Sequence, residues 1–250
     1  MNEYGIDSIA FLTEPVCVLT HTVGAVVFAI LSISLIRRSW LSGGAKPPDV
    51  SRFVRVSSIA AFAASAVLSL AVSGIYHLSP FDSEPRAFWL KLDYVAIFLV
   101  IAGTCSPAFA ILFRGGGRIA GLTLIWLAAV TGIALKTFYS NLLPPSTIYL
   151  VFLGMGWCCA AATAVTWRRF GASFVESVIL GGVAYTAGAV CQMAFQPTLV
   201  PGIIGPHEIL HVAVLVGMGF HWRFIYRFAD GRLPEPVPAR SPADSPASAG

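Results

Sequence analysis

Seven runs of about 20 residues, each almost free of charge, constrain the fold of this chain more than any other feature. At a rise of roughly 1.5 Å per residue, each run is long enough as a helix to cross a hydrocarbon core about 30 Å thick. They are Val16–Ile36, Val54–His77, Phe88–Phe113, Ile119–Leu135, Ile148–Trp167, Phe174–Phe195 and His207–Phe228. The runs are continuous, not alternating, and about twice the length of a barrel strand, so they read as helices. Gly and Ala are spread through all of them, as close helix packing in lipid requires. Composition agrees: 56% of residues are hydrophobic, 11% are charged and the mean hydropathy is +0.77, well beyond a soluble domain. The expected fold class is all-α, a polytopic membrane protein whose seven-helix bundle occupies residues 16–228.

The breaks between runs, SGGAKPPD, RGGGR, NLLPPS and QPTLVPGIIGP, are rich in Gly, Pro and Ser and read as loops. Residues 1–15 form a short extracytoplasmic segment, and residues 229–250, dense in Pro, Ala and Ser, read as a disordered tail. With seven spans the loops alternate between two sides. The side holding the N-terminus carries only Arg86, Lys91 and Lys136, and the other 13 of the 16 basic residues lie opposite. Basic residues gather in cytoplasmic loops, so the N-terminus is expected outside and the C-terminus in the cytoplasm. The net charge of +4 is then a topology signal, with no indication of nucleic-acid binding. Cys17, Cys105, Cys158, Cys159 and Cys191 lie in or beside spans without a CxxC pair and read as buried apolar thiols.

Ionisable residues inside the spans are few, and each is costly to bury. Apart from the basic residues near span ends, they are His21, His77, Asp93, Glu176, His207, Glu208, His211 and His221. His77 ends the second span and Asp93 begins the third, on one side of the membrane. Three further spans return the chain to that side, where His207 and His211 open the seventh, and His21 lies near the start of the first. Four of the five histidines and one aspartate therefore share one leaflet. His207 and His211 are four residues apart and project from one helical face. With His77 they form a three-nitrogen set that leaves a fourth position open, the pattern of catalytic zinc. Such an ion lowers the pKa of its water towards about 7, Asp93 can orient that water or take its proton, and Ser73, one turn before His77, can support the aspartate or a substrate carbonyl. Glu176 and His221 read as helix-end polar residues.

The stretch HEILH, residues 207–211, also fits HExxH, in which two histidines bind zinc and the glutamate is the general base of a protease. An intramembrane protease of that kind adds an acidic ligand motif downstream. Here the only acids after His211 are Asp230, Glu235 and Asp244, all beyond the last span. His77 and Asp93 fit better as partners, and Glu208 is not the expected base.

Four blocks, EPVCVLTHTVGA from Glu14, SGIYH from Ser73, LDYVAIFLVIAGTCSPAF from Leu92 and HEILHVAVLVGMGFH from His207, resemble the haemolysin III group of the progestin and adipoQ receptor family. The resemblance covers residues 14–228 and implies zinc held by His77, His207 and His211, with Asp93 holding a water. Glu14 and His21, in the first block, are candidates to support those ligands. The chain departs from the family at Cys17, where Asn is usual, and adiponectin-receptor relatives place the N-terminus and zinc in the cytoplasm, opposite to the basic-residue count. Part of the superfamily hydrolyses ceramides, so the expected activity is zinc-dependent hydrolysis of a lipid amide drawn from the membrane lipids. The alternatives are a non-catalytic zinc-containing sensor or regulator of membrane lipid state, a pore-forming haemolysin and an intramembrane metalloprotease.

Overall fold

The computed structural model describes residues 13–42, 50–139 and 147–237. Among them are eight helices: α1 (Pro15–Leu41), α2 (Arg52–Leu78), α3 (Glu84–Leu112), α4 (Gly115–Phe138), α5 (Thr147–Trp157), α6 (Ala160–Phe170), α7 (Ala172–Ala194) and α8 (Pro206–Tyr226). With α5 and α6 taken as one crossing, seven segments are long and apolar enough to span a membrane. There is no β-sheet among the described residues, only an isolated bridge between Val200 and Ile204. The spans are those expected from hydropathy; every one begins one to four residues earlier, the first, second, fourth and fifth also run on at their far ends, and the third, sixth and seventh stop one or two residues short. The fifth differs. Expected as one helix over Ile148–Trp167, it is broken at Cys158–Cys159, where the Cys159 N–H bonds to the Gly156 carbonyl three residues back. Gly154 and Gly156, with no packing neighbours where a Cβ would stand, weaken the preceding turn, since glycine is the least helix-favouring residue after proline.

Helix starts follow local chemistry. The Ser51 hydroxyl accepts from the Val54 N–H at the start of α2, and the Ser83 hydroxyl accepts from the Arg86 N–H at the start of α3, satisfying donors that a helix N-terminus leaves free. At α8, Pro206 takes the first turn and the Glu208 carboxylate reaches back to the Gly205 N–H at 2.9 Å. The sharp turn from α6 into α7 is made by Gly171, whose φ of +86° suits a residue without a side chain.

Helix α2 is the most buried span and lies between α1 and α3, while α8 packs on α7 and closes against α1. The approach of α2 to α3 is set by Gly103: a Cβ there would stand 2.2 Å from the Ser65 Oγ and 3.0 Å from the Ala61 carbonyl. At the ends of the helices remote from the N-terminus, an aromatic plug joins α6, α7 and α8. Phe174 stacks obliquely on Phe170, Phe224 and Phe228 at ring distances of 5.1, 5.6 and 6.2 Å. Leu35, Ile59 and Leu112 complete this buried cluster. The chain stays packed past Phe228. Ala229 is buried, Asp230 pairs with Arg38 at 2.8 Å, and the Val237 N–H reaches the Arg169 carbonyl. The first residues of the segment expected to be a free tail are therefore tied down, because Asp230 offers the end of α1 a counter-charge; residues 238–250 lie outside the described residues.

Candidate metal centre

Four helix ends meet on the membrane face opposite the aromatic plug. Cys17 and His21 come from the first turns of α1, His77 from the last turn of α2, Arg86 from the first turn of α3, and His207, Glu208 and His211 from the start of α8. The loop-separated spans thus deliver their polar residues to one level, as the parity of the crossings implied. His77 is 1% exposed, and its ring centre lies 5.2 Å from that of His207 and 4.6 Å from that of His211. His207 and His211 stand 4.5 Å apart, one turn apart on the same face of α8.

Each imidazole is oriented by a neighbour. The His77 Nδ1–H faces the Glu14 Oε2 at 2.7 Å, and the Arg86 guanidinium donates to the same oxygen at 2.6 Å. Burial raises the Glu14 pKa, but the bonds and charges of His77 and Arg86 outweigh it and hold the carboxyl down at about 2. A carboxylate on Nδ1 fixes the tautomer of His77 and leaves its Nε2 lone pair free to bind a cation. That Nε2 is buried and has no hydrogen-bond partner among the described residues. His211 is fixed in the same way: its Nδ1 meets the His21 Nε2 at 2.8 Å, and its Nε2 faces the His207 Nε2 at 3.1 Å.

These observations fit a metal ion. In a tetrahedral site with metal–nitrogen bonds of about 2.0–2.1 Å, neighbouring ligand nitrogens lie about 3.3 Å apart, close to the separation of His207 and His211. The ligand atoms of Cys17, His77, His207 and His211 all lie within 4.8 Å of one another, and all four residues are buried around this point. The three histidines expected from the sequence are therefore brought together, and Cys17, read there as an apolar thiol, joins them. Its Sγ lies 3.4 Å from the Glu208 Oε1.

Both oxygens of Glu208 are thus engaged, one by Cys17 and one by the Gly205 N–H, and the residue is 1% exposed. It closes the helix cap and holds the thiol, which accounts for the acidic residue in HEILH without a protease. Arg86, counted from sequence only as a topology residue, proves to be the counter-charge of Glu14. Glu176 is exposed and remote from the cluster. His221 lies at the other end of α8, edge-on to Tyr185.

The centre borders a cavity of about 520 Å³. His21, His207 and His211 line its polar end together with Asp93, Ser73 and Tyr76, while mostly apolar side chains of α3, α5, α6, α7 and α8, interspersed with threonines and with His221, line the rest down to Phe224. Asp93 interacts with the Ser73 hydroxyl and with His77, so the two residues expected beside the ligands do stand there. Cys17, His77, Glu14 and Glu208 lie outside the cavity wall. Along α8 the cavity runs from His207 to Phe224, 17 residues or about 25 Å.

The Haemolysin-III related family model matches residues 9–222. Hemolysin-3 of Bacillus cereus is 28% identical over 173 residues, 69% of this chain and 74% of that protein. The Hemolysin-3 homolog of Bacillus subtilis (strain 168) is 29% identical over 101 residues, 40% of this chain and 46% of that protein.

Proposed function

The chain belongs to the haemolysin-III related family, within the progestin and adipoQ receptor superfamily, and on that premise we propose that it is a zinc-dependent hydrolase of a lipid amide. The carrying observation is that a buried three-histidine cluster opens on a long apolar cavity with Asp93 and Ser73 in its polar wall. A volume of about 520 Å³ falls within the range of small-molecule sites. A zinc ion held by His77, His207 and His211 would supply Lewis acidity to a water and to a carbonyl.

The chain's own residues perform the rest. Glu14 and Arg86 hold the His77 ring, and His21 holds that of His211, so that their nitrogens converge. Asp93 accepts the proton of the attacking water and returns it to the leaving amine. Ser73 orients the Asp93 carboxyl. The apolar walls take the acyl chain, so that hydrolysis of the amide yields a fatty acid and an amine. The protein sits in the bacterial inner membrane with the centre on the extracytoplasmic face, as the basic-residue bias supports, and membrane lipids are its partners.

The test is Asp93→Asn in purified protein supplied with a lipid panel that includes ceramides. Wild type is expected to release fatty acid, and the variant to keep its zinc and lose at least 100-fold of the rate, the lower part of the span for general acid–base catalysis of about 10²–10⁴-fold. Zinc-loaded wild type that releases no fatty acid from any lipid overturns the hydrolase. A second reading, a lipid sensor with a structural metal, is favoured by the Cys17 thiol among the ligand atoms, because structural zinc sites are closed by four protein ligands. Signalling or lipid-state phenotypes that survive Asp93→Asn select it.

A further inference from the structure

We propose that Cys17 is the fourth protein ligand of this centre, so that its resting state is held by three imidazoles and one thiolate. The proposal rests on the reading that His77, His207 and His211 bind a metal.

Three observations place the thiol there. The Cys17 side chain is fully buried, and its Sγ lies within 4.8 Å of the ligand nitrogens of all three histidines. Cys17 and His21 are four residues apart and share one face of α1, and His21 bonds to His211 at 2.8 Å. The helix that fixes the ring of one ligand therefore carries the thiol to the same point. The buried His77 Nε2 has no hydrogen-bond partner among the described residues, so its lone pair is open to a cation at the point the thiol reaches.

Coordination requires the thiolate, and the acceptor for the proton is in place at the Glu208 Oε1, 3.4 Å from the Cys17 Sγ. On binding, the S–H bond breaks, the proton passes to the Glu208 carboxylate, and the sulfur lone pair forms the bond to the metal. No oxidant or reductant takes part. Reversal returns the proton to sulfur and the thiol to Glu208, the pairing seen in the structure. Glu208 thus serves the centre as the keeper of Cys17.

The ligand set has two consequences. A soft thiolate beside three imidazoles favours zinc or cobalt over magnesium, calcium or manganese, which prefer oxygen donors. It also occupies the position that a water needs. Cys17 lies outside the cavity wall whereas Asp93 lines it, so the thiol reaches the cluster from behind the wall that carries the carboxyl, and its return to Glu208 would leave a position facing the cavity. The thiol is then a closure on the centre that the hydrolytic state must open.

The experiment uses the full chain in detergent, stripped of metal and titrated with cobalt(II). Wild type is expected to bind one equivalent and to show thiolate-to-cobalt charge-transfer absorption in the near ultraviolet. Cys17→Ser should lose that band while binding cobalt, whereas Cys105→Ser, Cys159→Ser and Cys191→Ser should keep it. X-ray absorption of the zinc-loaded wild type provides a readout free of mutation, with one sulfur scatterer at about 2.3 Å. Cobalt bound by wild type without the band, or a band unchanged in Cys17→Ser, overturns the fourth ligand and leaves the three-histidine reading standing. Failure of wild type to bind cobalt or zinc at all removes both.

Discussion

Glu14→Gln is the sharpest probe of the centre, because it keeps the shape of a buried side chain and removes its charge. The Glu14 Oε2 receives the His77 Nδ1–H at 2.7 Å and the Arg86 guanidinium at 2.6 Å. In the variant the amide cannot match a carboxylate facing two cationic or polarised donors, and the ring of His77 loses the partner that fixes its tautomer. Loss of a partner of this kind typically lowers metal affinity 10–100-fold, or about 1.4–2.7 kcal/mol. The fold is expected to survive. Arg86 keeps the Ser79 carbonyl at 2.8 Å, the Tyr76 carbonyl at 3.3 Å and the faces of Tyr76 and Phe81. The assay is competition for zinc against a chromophoric chelator, run on wild type, Glu14→Gln, His77→Ala and the double variant. If Glu14 acts through His77, adding Glu14→Gln to His77→Ala changes affinity by no more than about twofold, the usual scatter of independent effects. Wild-type affinity in Glu14→Gln, or a full additive loss in the double variant, refutes the reasoning that Glu14 positions a ligand.

Three further outcomes are expected. Metal analysis of His77→Ala, His207→Ala and His211→Ala should show each with less than a tenth of the zinc retained by wild type after dialysis; equal content in all four proteins would remove the centre. Gly103→Val should destabilise the bundle by about 1–3 kcal/mol in thermal unfolding, the usual cost of overpacking, because its Cβ would meet Ser65 and the Ala61 carbonyl. Gly154→Ala, which meets nothing, should be neutral or stabilising. A phosphatase reporter fused after Gly250 should be silent and a fluorescent protein bright, and the reverse pattern would place the centre on the cytoplasmic face.

Much of this was legible in the chain because the bilayer restricts the choices. A continuous apolar run of 20 residues has one good structure in lipid, so the seven spans follow from hydropathy. The parity of crossings then places His77, His207, His211 and Asp93 on one face with no knowledge of packing. What the pattern could not supply is contact between remote residues of ordinary type. Cys17 in an apolar run looks like any buried thiol, and its partner Glu208 is 191 residues away. Arg86 is 72 residues from Glu14 and reads as one more loop charge. The departure at Cys17 from the family's usual Asn was the available signal for the thiol, but its meaning depends on where α1 lies against α8. The break between α5 and α6 was hidden for a different reason: glycine is common in spanning helices, so Gly154 and Gly156 do not by themselves predict a turn.

The position of the cluster narrows the substrates that the proposed hydrolase could take. Glu14 precedes α1, Arg86 opens α3, His77 ends α2 and His207 opens α8, with His211 one turn further in and Asp93 nine residues into α3, so the cluster lies at and just below the helix ends. Ionisable groups are tolerated there at far lower cost than at the bilayer midplane. From this level the cavity leads along α8 towards the aromatic plug, and its walls are mostly apolar, with Thr104, Thr163, Thr166, Thr186, Tyr185 and His221 among them. On the proposed hydrolase reading, a substrate that fills it would carry its amide beside the histidines and an apolar chain along the rest of the cavity. Water-soluble peptides and short amides would leave the lower cavity empty and gain nothing from its walls. For members of one lipid series, turnover should therefore rise with acyl length until the chain reaches Phe224 and then level off. A rate indifferent to chain length would mean that the cavity does not hold the substrate.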